Sequence, residues 1–159
     1  RESTVSDVED FYRIYQDPSI TKYMERLFPD RDEERSYMKD YIQKIYGFYG
    51  FGLWSVIHTV TGTVIGRAGL SVREGYEIPE LGFVTEVAFQ HQGYTYEICE
   101  AILRYARDEL EFPQVQAFCH PENTASLHLL QKLGFTYAGE DLLQGIPHAR
   151  YIVSLPKSC

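Results

Sequence analysis

The segment Gln90-His91-Gln92-Gly93-Tyr94-Thr95 carries the clearest chemical pattern, because it stands between a predicted strand and a long predicted helix. The first NH groups of a helix lack partners within it and bear part of its positive dipole, so they bind phosphate oxygens. Gly93 lets the backbone approach a ligand without a Cβ, and Thr95 adds a hydroxyl. Taken alone, this segment is more simply interpreted as a plain structural turn, since the residues of a Walker loop or of a full dinucleotide loop are missing.

A second polar group follows about thirty residues later, at Asn123 and Ser126 in the run His120-Pro-Glu-Asn-Thr-Ala-Ser126. Asn123 stands at a predicted strand-to-helix junction, where its simplest role is to cap the helix. Ser126 in the first helical turn satisfies a local backbone group in the simplest interpretation. The occurrence of both motifs in one chain is what favours a ligand site.

Glu80 opens a predicted central strand and is a candidate base that would take a proton from an amine through water. A solvated carboxylate at a strand end is the alternative interpretation. No metal-ligand spacing relates the histidines His58, His91 and His128. The sequence therefore predicts no metal cofactor.

Apolar periodicity places these motifs on an α/β framework. Ser6 and Glu9 form a capping-box pattern that predicts a first helix, and Asp30 opens a second helix that would bury Tyr37, Met38, Tyr41, Ile42 and Ile45. Two further helices are predicted over 94–110 and 123–133, the second closed by Gly134. Strands are predicted over 51–58, 63–72, 80–87, 115–119, 135–139 and 150–155. The segment 80–119 then forms a βαβ crossover in a mixed sheet.

Composition indicates one ordinary globular domain over residues 1–159. The chain has 15 Lys and Arg against 23 Asp and Glu, a net charge of −8, which argues against nucleic acid as a partner. This balance suits a cationic substrate, although it also serves solubility alone.

The cysteines Cys99, Cys119 and Cys159 show no CxxC spacing, so we expect free thiols in a reducing compartment. No apolar run is long enough to span a bilayer and no signal-peptide pattern is present. A cytoplasmic protein without a membrane partner is the expectation.

The stretch from Leu81 to Glu140 resembles the GNAT acetyltransferase superfamily. Gln90-x-x-Gly93-x-Thr95 fits the acetyl-CoA loop of that family. The segments "PENTAS…LLQKLGF" and "GLWSVI…TGTVIGRAGL" are similar to the branch that acetylates the N-terminal amines of ribosomal proteins.

The resemblance implies an α/β fold whose central mixed, mostly antiparallel sheet splays open at a βαβ acetyl-CoA cleft, with helices on both faces. It implies that the loop Gln90, His91, Gln92, Gly93, Tyr94 and Thr95 holds the coenzyme A pyrophosphate through backbone NH groups. By the same likeness Val84 and Thr85 pair with the pantetheine arm, and Asn123 and Ser126 line the thiol end.

Four positions depart from the family pattern. Thr95 replaces the small last residue of the loop, and Tyr96 follows where a small polar residue is common. Leu130 stands where many members carry a tyrosine acid, and Phe118 stands where some N-terminal acetylases carry a glutamate. No strong acid–base pair is therefore implied. An α-amine with a pKa of about 7.7–8.0 is already roughly one-tenth neutral at pH 7, whereas a lysine near 10.4 is almost wholly charged. A site without a strong base thus suits α-amines.

We therefore expect an acetyl-CoA-dependent N-acetyltransferase that works by direct transfer in a ternary complex, with Glu80 and Ser126 as candidate catalytic residues. The expected acceptor is a protein N-terminal amine. A small-molecule amine and a non-catalytic acyl-CoA-binding module are the alternatives, and a mononucleotide binder is disfavoured because the Walker residues are missing. The chain is expected to be a monomer or a homodimer.

Overall fold

A computed structural model describes residues 1–157 of the chain. Cys99 and Cys119 are buried free thiols, as predicted, and Cys159 lies outside the described residues. The backbone gathers into two compact units: unit 1 comprises Arg1–Gly69 and Gly82–Thr95, and unit 2 comprises Leu70–Leu81 and Tyr96–Cys159. A single domain over 1–159 stays a prediction.

The helices are α1 (Val8–Tyr15), α2 (Pro18–Thr21), α3 (Arg31–Tyr41), α4 (Gly47–Tyr49), α5 (Tyr94–Asp108) and α6 (Thr124–Lys132). A π-helical turn, Ile42–Tyr46, joins α3 to α4. The strands are β1 (Leu53–His58), β2 (Thr63–Ser71), β3 (Glu80–Thr85), β4 (Gln114–Cys119), β5 (Thr136–Leu143) and β6 (Ile146–Ser154).

The strands form one six-stranded sheet in the order β1-β2-β3-β4-β6-β5. Strand β3 runs parallel to β4, with Glu80 opposite Gln116, whereas the β1–β2, β4–β6 and β5–β6 pairs are antiparallel. This confirms the predicted mixed α/β fold with a βαβ crossover through α5.

The start of the first helix differs from the prediction. The capping box lies at Thr4 and Asp7 rather than at Ser6 and Glu9, and a 3-10 turn, Val5–Asp7, precedes α1. The same residue spacing occurs in both pairs. The earlier pair forms because the Asp7 carboxylate also accepts a hydrogen bond from the buried Ser55 hydroxyl, at 2.8 Å.

The second helix begins at the predicted cap, because the Asp30 side chain accepts a hydrogen bond from the backbone NH of Asp32. Met38 is fully buried as expected, but Tyr37 is 47% exposed. The inward stripe of α3 runs through Glu34 and Met38, four residues apart, so Tyr37 lies off that stripe. Its ring instead meets the ring of Phe28, with a centroid distance of 5.8 Å.

The core of unit 1 packs α1 and α3 against β2 and β3. Its buried members are Val8, Phe11, Ile14, Ile20, Met38, Val64 and Val84.

In unit 2, strands β5 and β6 are longer than predicted and meet at a two-residue turn, Gln144 and Gly145, both with positive φ. Polar residues such as Glu140 and Asp141 mask the strand pattern in the sequence, because this part of β5 is half solvent-facing.

Two tyrosines close the start of β1. The Tyr41 hydroxyl accepts a hydrogen bond from the Leu53 NH at 2.8 Å, and the Tyr46 hydroxyl donates to the Leu53 carbonyl oxygen. The π-helical turn lies between these two tyrosines. Farther along β1, the NH of Ser55 donates to the carbonyl oxygen of Arg1 at 2.9 Å.

Gly69 lies where β2 crosses very close to the chain that enters β1. A Cβ at Gly69 would lie 2.0 Å from the carbonyl oxygen of Gly52, a backbone atom that has no room to yield. We expect Gly69→Ala to lower the free energy of unfolding by about 1–3 kcal/mol, as overpacked substitutions do. Urea denaturation measures this.

The matched control is Gly47→Ala. Gly47 has a helical φ of −65° and a Cβ there would meet nothing within 4 Å. This variant should match the wild type or gain up to about 1 kcal/mol. Equal losses in both variants would contradict the close approach at Gly69.

Asp7 is 3% exposed, and its carboxylate accepts hydrogen bonds from Arg1, from the Thr4 NH and from Ser55. Burial raises the pKa of Asp7, but these donors outweigh burial and hold the pKa below its ordinary value. A depressed folded pKa stabilises the fold above the unfolded pKa of about 3.9, and this stabilisation is lost as the pH falls through the folded pKa.

Asp7→Asn should therefore lower the free energy of unfolding at pH 7 by about 1–3 kcal/mol, because buried donors lose a charged acceptor. The gap between the two proteins should narrow as the pH falls below about 4. Urea titrations from pH 7 to pH 2 measure it. A gap that stays constant over this range would show that the Asp7 charge is not responsible.

Candidate functional site

The loop from Thr85 to Tyr94 joins the end of β3 to the start of α5 and lies entirely in unit 1. Gly93 has φ +86°, and a Cβ built on it would meet nothing within 4 Å, so open space lies beside its backbone. His91 also has a positive φ of 59°, which is uncommon outside glycine and concentrates at functional loops. The chain is thus held in an unusual conformation where the helix begins.

Glycine directly before α5 has no side chain with which to cap the helix. Three other helices differ: Asp17, Asp30 and Asn123 each accept a backbone hydrogen bond at the start of α2, α3 and α6. Helices α1 and α4 also lack a side-chain cap, but each of them continues a preceding helical turn. The first NH groups of α5 have no intrahelical partner, as in any α-helix. They are therefore available to an anion.

Side chains of the loop turn back onto the loop itself. The Gln90 amide donates to the Thr85 carbonyl oxygen at 2.9 Å, and the Gln92 amide donates to that of Ala88 at 3.0 Å. The hydroxyls of Thr85 and Thr95 hydrogen-bond at 2.7 Å and tie the strand end to the helix start. These bonds leave the backbone, rather than the side chains, to meet a ligand.

Contacts to β1 and α1 fix the loop from outside. A ring nitrogen of His58 lies 3.2 Å from the Tyr94 hydroxyl, and the His58 ring packs 5.2 Å from that of Phe89. Glu86 forms an ion pair with Arg13, whose guanidinium also donates to the Val64 carbonyl oxygen at 2.7 Å. The pattern of the sequence did not reveal these tethers, because each joins residues more than thirty positions apart.

The loop fits the pyrophosphate that the resemblance assigns to it. Residues 82–95 contain no Lys or Arg, so this segment offers an anion only its backbone NH groups and the helix dipole. Val84 is 7% exposed with its side chain in the core of unit 1, so only its backbone is available to a ligand.

Asn123 and Ser126 lie in unit 2. The side-chain oxygen Oδ1 of Asn123 accepts a hydrogen bond from the Ser126 NH at 3.3 Å, which confirms the capping role that the sequence suggested. Both side chains are half-buried.

Glu80 faces a cleft that lies wholly in unit 2. Both of its carboxylate oxygens bind Arg73, with Nε at 2.9 Å and Nη2 at 3.0 Å. The cleft has a volume of about 470 Å³ and is lined by Ser71, Val72, Arg73, Glu74, Tyr76, Glu80, Leu142, Leu143 and Gln144. The lining comes largely from the loop between β2 and β3 and from the end of β5 with the turn that follows it, and neither segment carries a sequence motif that identifies a ligand.

Contacts of Tyr76 support this cleft. The Tyr76 ring meets the ring of Phe118 edge to face, with a centroid distance of 5.4 Å, and the guanidinium of Arg150 lies 5.2 Å from the Tyr76 centroid. The Tyr76 hydroxyl donates to Asp141, and this hydrogen bond to a carboxylate raises the pKa of Tyr76.

The fully buried Gln116 continues the network. Its amide donates to the Ile78 carbonyl oxygen at 2.8 Å, and its side-chain oxygen accepts from Arg150 at 2.8 Å. The segment between β2 and β3 is thereby held in place. The residues of this network are far apart in the sequence and follow no regular spacing. Tyr76, Gln116 and Arg150 were therefore not predicted from the sequence.

Leu130 is 1% exposed and belongs to the core, so the position of the missing tyrosine is filled by packing. Within residues 1–157, no group of three His, Cys, Asp or Glu side chains could hold a metal ion. Among the same residues, no helix has the length and apolar character needed to cross a membrane.

A family model described as "Acetyltransferase (GNAT) domain" matches residues 1–136. Among curated proteins, the chain is 28% identical over 140 residues to an uncharacterized N-acetyltransferase, YnaD, of Bacillus subtilis (strain 168), covering 87% of this chain and 79% of that protein.

Solved structures share the fold. A ribosomal-protein-S5-alanine acetyltransferase from Vibrio fischeri has a TM-score of 0.81 at 14% identity, over 98% of this chain and 91% of the other. A spermidine N-acetyltransferase from Vibrio cholerae, in complex with CoA and spermine, has a TM-score of 0.80 at 16% identity, over 98% and 94% of the two chains.

Proposed function

Because the chain belongs to the GNAT acetyltransferase family, we propose that it transfers the acetyl group of acetyl-CoA directly to a primary amine in a ternary complex. The predicted resemblance and the enzyme class, an N-acetyltransferase, are thereby confirmed. We further propose that the acceptor is a protein N-terminal amine. The observation that carries the cofactor proposal is the uncapped start of α5 behind Gly93.

The loop residues have distinct proposed roles toward coenzyme A. The backbone NH groups of Gln92 to Thr95 bind the pyrophosphate, while Gln90 holds the loop by its bond to Thr85. His91 and Tyr94 set the conformation of the loop. The backbone of Val84 and Thr85 pairs with the pantetheine arm, and Asn123 and Ser126 contact the thiol end.

Acetyl-CoA, when bound, supplies the thioester carbonyl that the amine attacks. A backbone NH near Thr85 stabilises the negative charge that develops on the carbonyl oxygen, and such donors contribute much of the rate in acyl transfer. The Ser126 hydroxyl would donate a hydrogen bond to the departing thiolate, and the thiolate would take up the proton that the amine nitrogen loses, so that coenzyme A leaves as the thiol. A thiol of pKa about 8.5 leaves without a strong acid, so Leu130 in place of tyrosine is compatible with turnover.

The choice of an α-amine follows from the contacts of Glu80. Both carboxylate oxygens of Glu80 accept hydrogen bonds from Arg73, so neither is free to contact an amine directly. Glu80 therefore acts only through water, and an acceptor that is partly neutral at pH 7 needs no more.

A small cationic amine is the second candidate, and the cleft of unit 2 favours it. Glu74 and Glu80 line this cleft of about 470 Å³, a size typical of small-molecule sites. Carboxylates at its wall attract a protonated amine.

A panel of acceptors tests the activity. Thiol release from acetyl-CoA is followed with peptides that have a free N-terminus, the same peptides with a blocked N-terminus and a lysine, and a polyamine. We expect acetylation of the free N-terminus only. Acetylation of the polyamine alone would replace the proposed acceptor, and acetyl-CoA binding without turnover of any amine would show a binding module.

The pH dependence of kcat/KM tests whether the enzyme itself supplies a strong base. With no strong enzyme base, the profile should rise with the ionisation of the acceptor amine itself. Two peptides whose α-amine pKa values differ by about one unit should give profiles displaced by about one pH unit. The same inflection for both peptides, well below their amine pKa values, would reveal a strong base in the enzyme and contradict the proposal.

Gly93→Ala tests the cofactor loop, with Gly75→Ala as a matched control. Both glycines have φ +86° and open space at the position of a Cβ, so both variants should lose about 1–2 kcal/mol of folding free energy from backbone strain. Acetyl-CoA affinity should fall at least about tenfold in Gly93→Ala only, by calorimetric titration. An equal affinity in both variants would rule out this loop as the cofactor site.

A further inference from the structure

Arg67 lies in the middle of β2 and is only 7% exposed. Its guanidinium stacks over the Phe11 ring, 4.4 Å from the centroid, and Phe11 is fully buried. Within residues 1–157, the Nε atom is sealed from solvent and has no hydrogen-bond partner. No ion pair to Arg67 occurs in the same part of the chain.

Asp7 and Glu34, the buried acids of unit 1, are committed elsewhere, and the sealed Oε2 atom of Glu86 forms no ion pair with Arg67 in residues 1–157. Asp7, which reaches Ser55 opposite Arg67 in the β1–β2 register, is held by Arg1 at 2.8 and 3.0 Å and by the Ser55 hydroxyl. Glu34, 2% exposed, accepts a hydrogen bond from the Phe28 NH at 3.0 Å. Neither acid lies within ion-pair distance of Arg67 in residues 1–157.

A buried guanidinium without an acceptor is costly to the fold. Arginine keeps its charge at any physiological pH, so it cannot escape the cost by losing a proton. Removing an ion from water costs several kcal/mol unless an opposite charge and hydrogen bonds compensate it. The ring of Phe11 offers a cation–π contact, which is worth only about 2 kcal/mol when desolvated.

We propose that Arg67 is the anchor of a carboxylate-binding site in unit 1. The two Nη atoms are not sealed from solvent and form no hydrogen bond within residues 1–157, so they are the open end of the group. Their planar fork matches a carboxylate, which it binds through two parallel hydrogen bonds. The Phe11 ring lies 4.4 Å from the guanidinium carbon and so occupies one side of the group, which leaves the Nη atoms for a ligand.

Acetate serves as the probe for this site. The wild type and Arg67→Met are unfolded thermally, and titrated, in sodium acetate and in sodium chloride of equal ionic strength. Acetate should raise the Tm of the wild type above that in chloride, and the acetate affinity should fall at least about tenfold in Arg67→Met. In chloride the Tm of Arg67→Met should equal or exceed that of the wild type, because an unpaired buried charge is gone.

Arg13→Met is the matched control. Arg13 also belongs to unit 1, but its guanidinium is already occupied by Glu86, Asp10 and the Val64 carbonyl. This variant should lose thermal stability and keep the acetate response. An acetate response that is the same in the wild type and in Arg67→Met, with a lower Tm of Arg67→Met in chloride, would show that Arg67 only packs on Phe11.

If Arg67→Met does not fold, the acetate affinity of Arg67→Lys tests the site instead. Lysine keeps the charge and the apolar stem but has no planar fork, so acetate affinity should still fall. Unchanged acetate affinity in Arg67→Lys would overturn the site.

The carboxylate that binds Arg67 belongs either to the acceptor or to a separate small acid. A comparison of KM values distinguishes the two sources, and only this comparison depends on the proposed function. KM is compared for an amino acid and its amide, in the wild type and in Arg67→Met. A rise in KM for the acid alone in Arg67→Met assigns the carboxylate to the acceptor. Unchanged KM values, with acetate binding still lost, assign it to a separate acid. If no amine is turned over, the proposed function fails while the acetate titration still tests the site.

Discussion

The uncapped start of α5 is the constraint on which the rest of the candidate site depends. A glycine before a helix leaves NH groups that water or a ligand must satisfy. The surroundings preserve this state: the Thr85–Thr95 hydroxyl bond fixes the helix start, and Gln90 fixes the loop. His58 anchors Tyr94 from β1. The site is thus made of backbone dipoles held by side chains, in a segment of 82–95 without Lys or Arg.

A candidate anion site made of backbone NH groups is compatible with a chain of net charge −8, because it needs no cationic side chain. Cationic side chains of the described residues are largely used internally: Arg73 binds Glu80, Arg13 binds Glu86, and Arg150 binds Gln116. Oriented peptide dipoles can bind an anion without a cationic side chain. Their contribution is therefore unaffected when the Lys and Arg side chains are engaged in other contacts. Arg67 differs from these three, since its charge is buried and its Nε atom has no hydrogen-bond partner.

Much of the framework was predictable because it rests on local patterns. Asp30 begins α3, Asn123 caps α6, and the spacing of Gln90, Gly93 and Thr95 places the loop between β3 and α5. The failures have physical causes: two capping boxes of equal spacing compete before α1, and polar residues hide the outer half of β5. The contacts of Tyr76 with Phe118, and the burial of Arg67 against Phe11, join residues far apart in the chain, so the spacing of residues does not predict them.

The tyrosines that close β1 have a consequence for self-assembly. A free edge strand is a template on which another chain can add a strand and begin aggregation. At β1 the outward groups of Leu53 and Ser55 already have partners, in Tyr41, Tyr46 and the carbonyl of Arg1. An incoming strand would have to displace the tyrosine hydroxyls. Growth of the sheet by strand addition is therefore directed to its other edge, the strand β5.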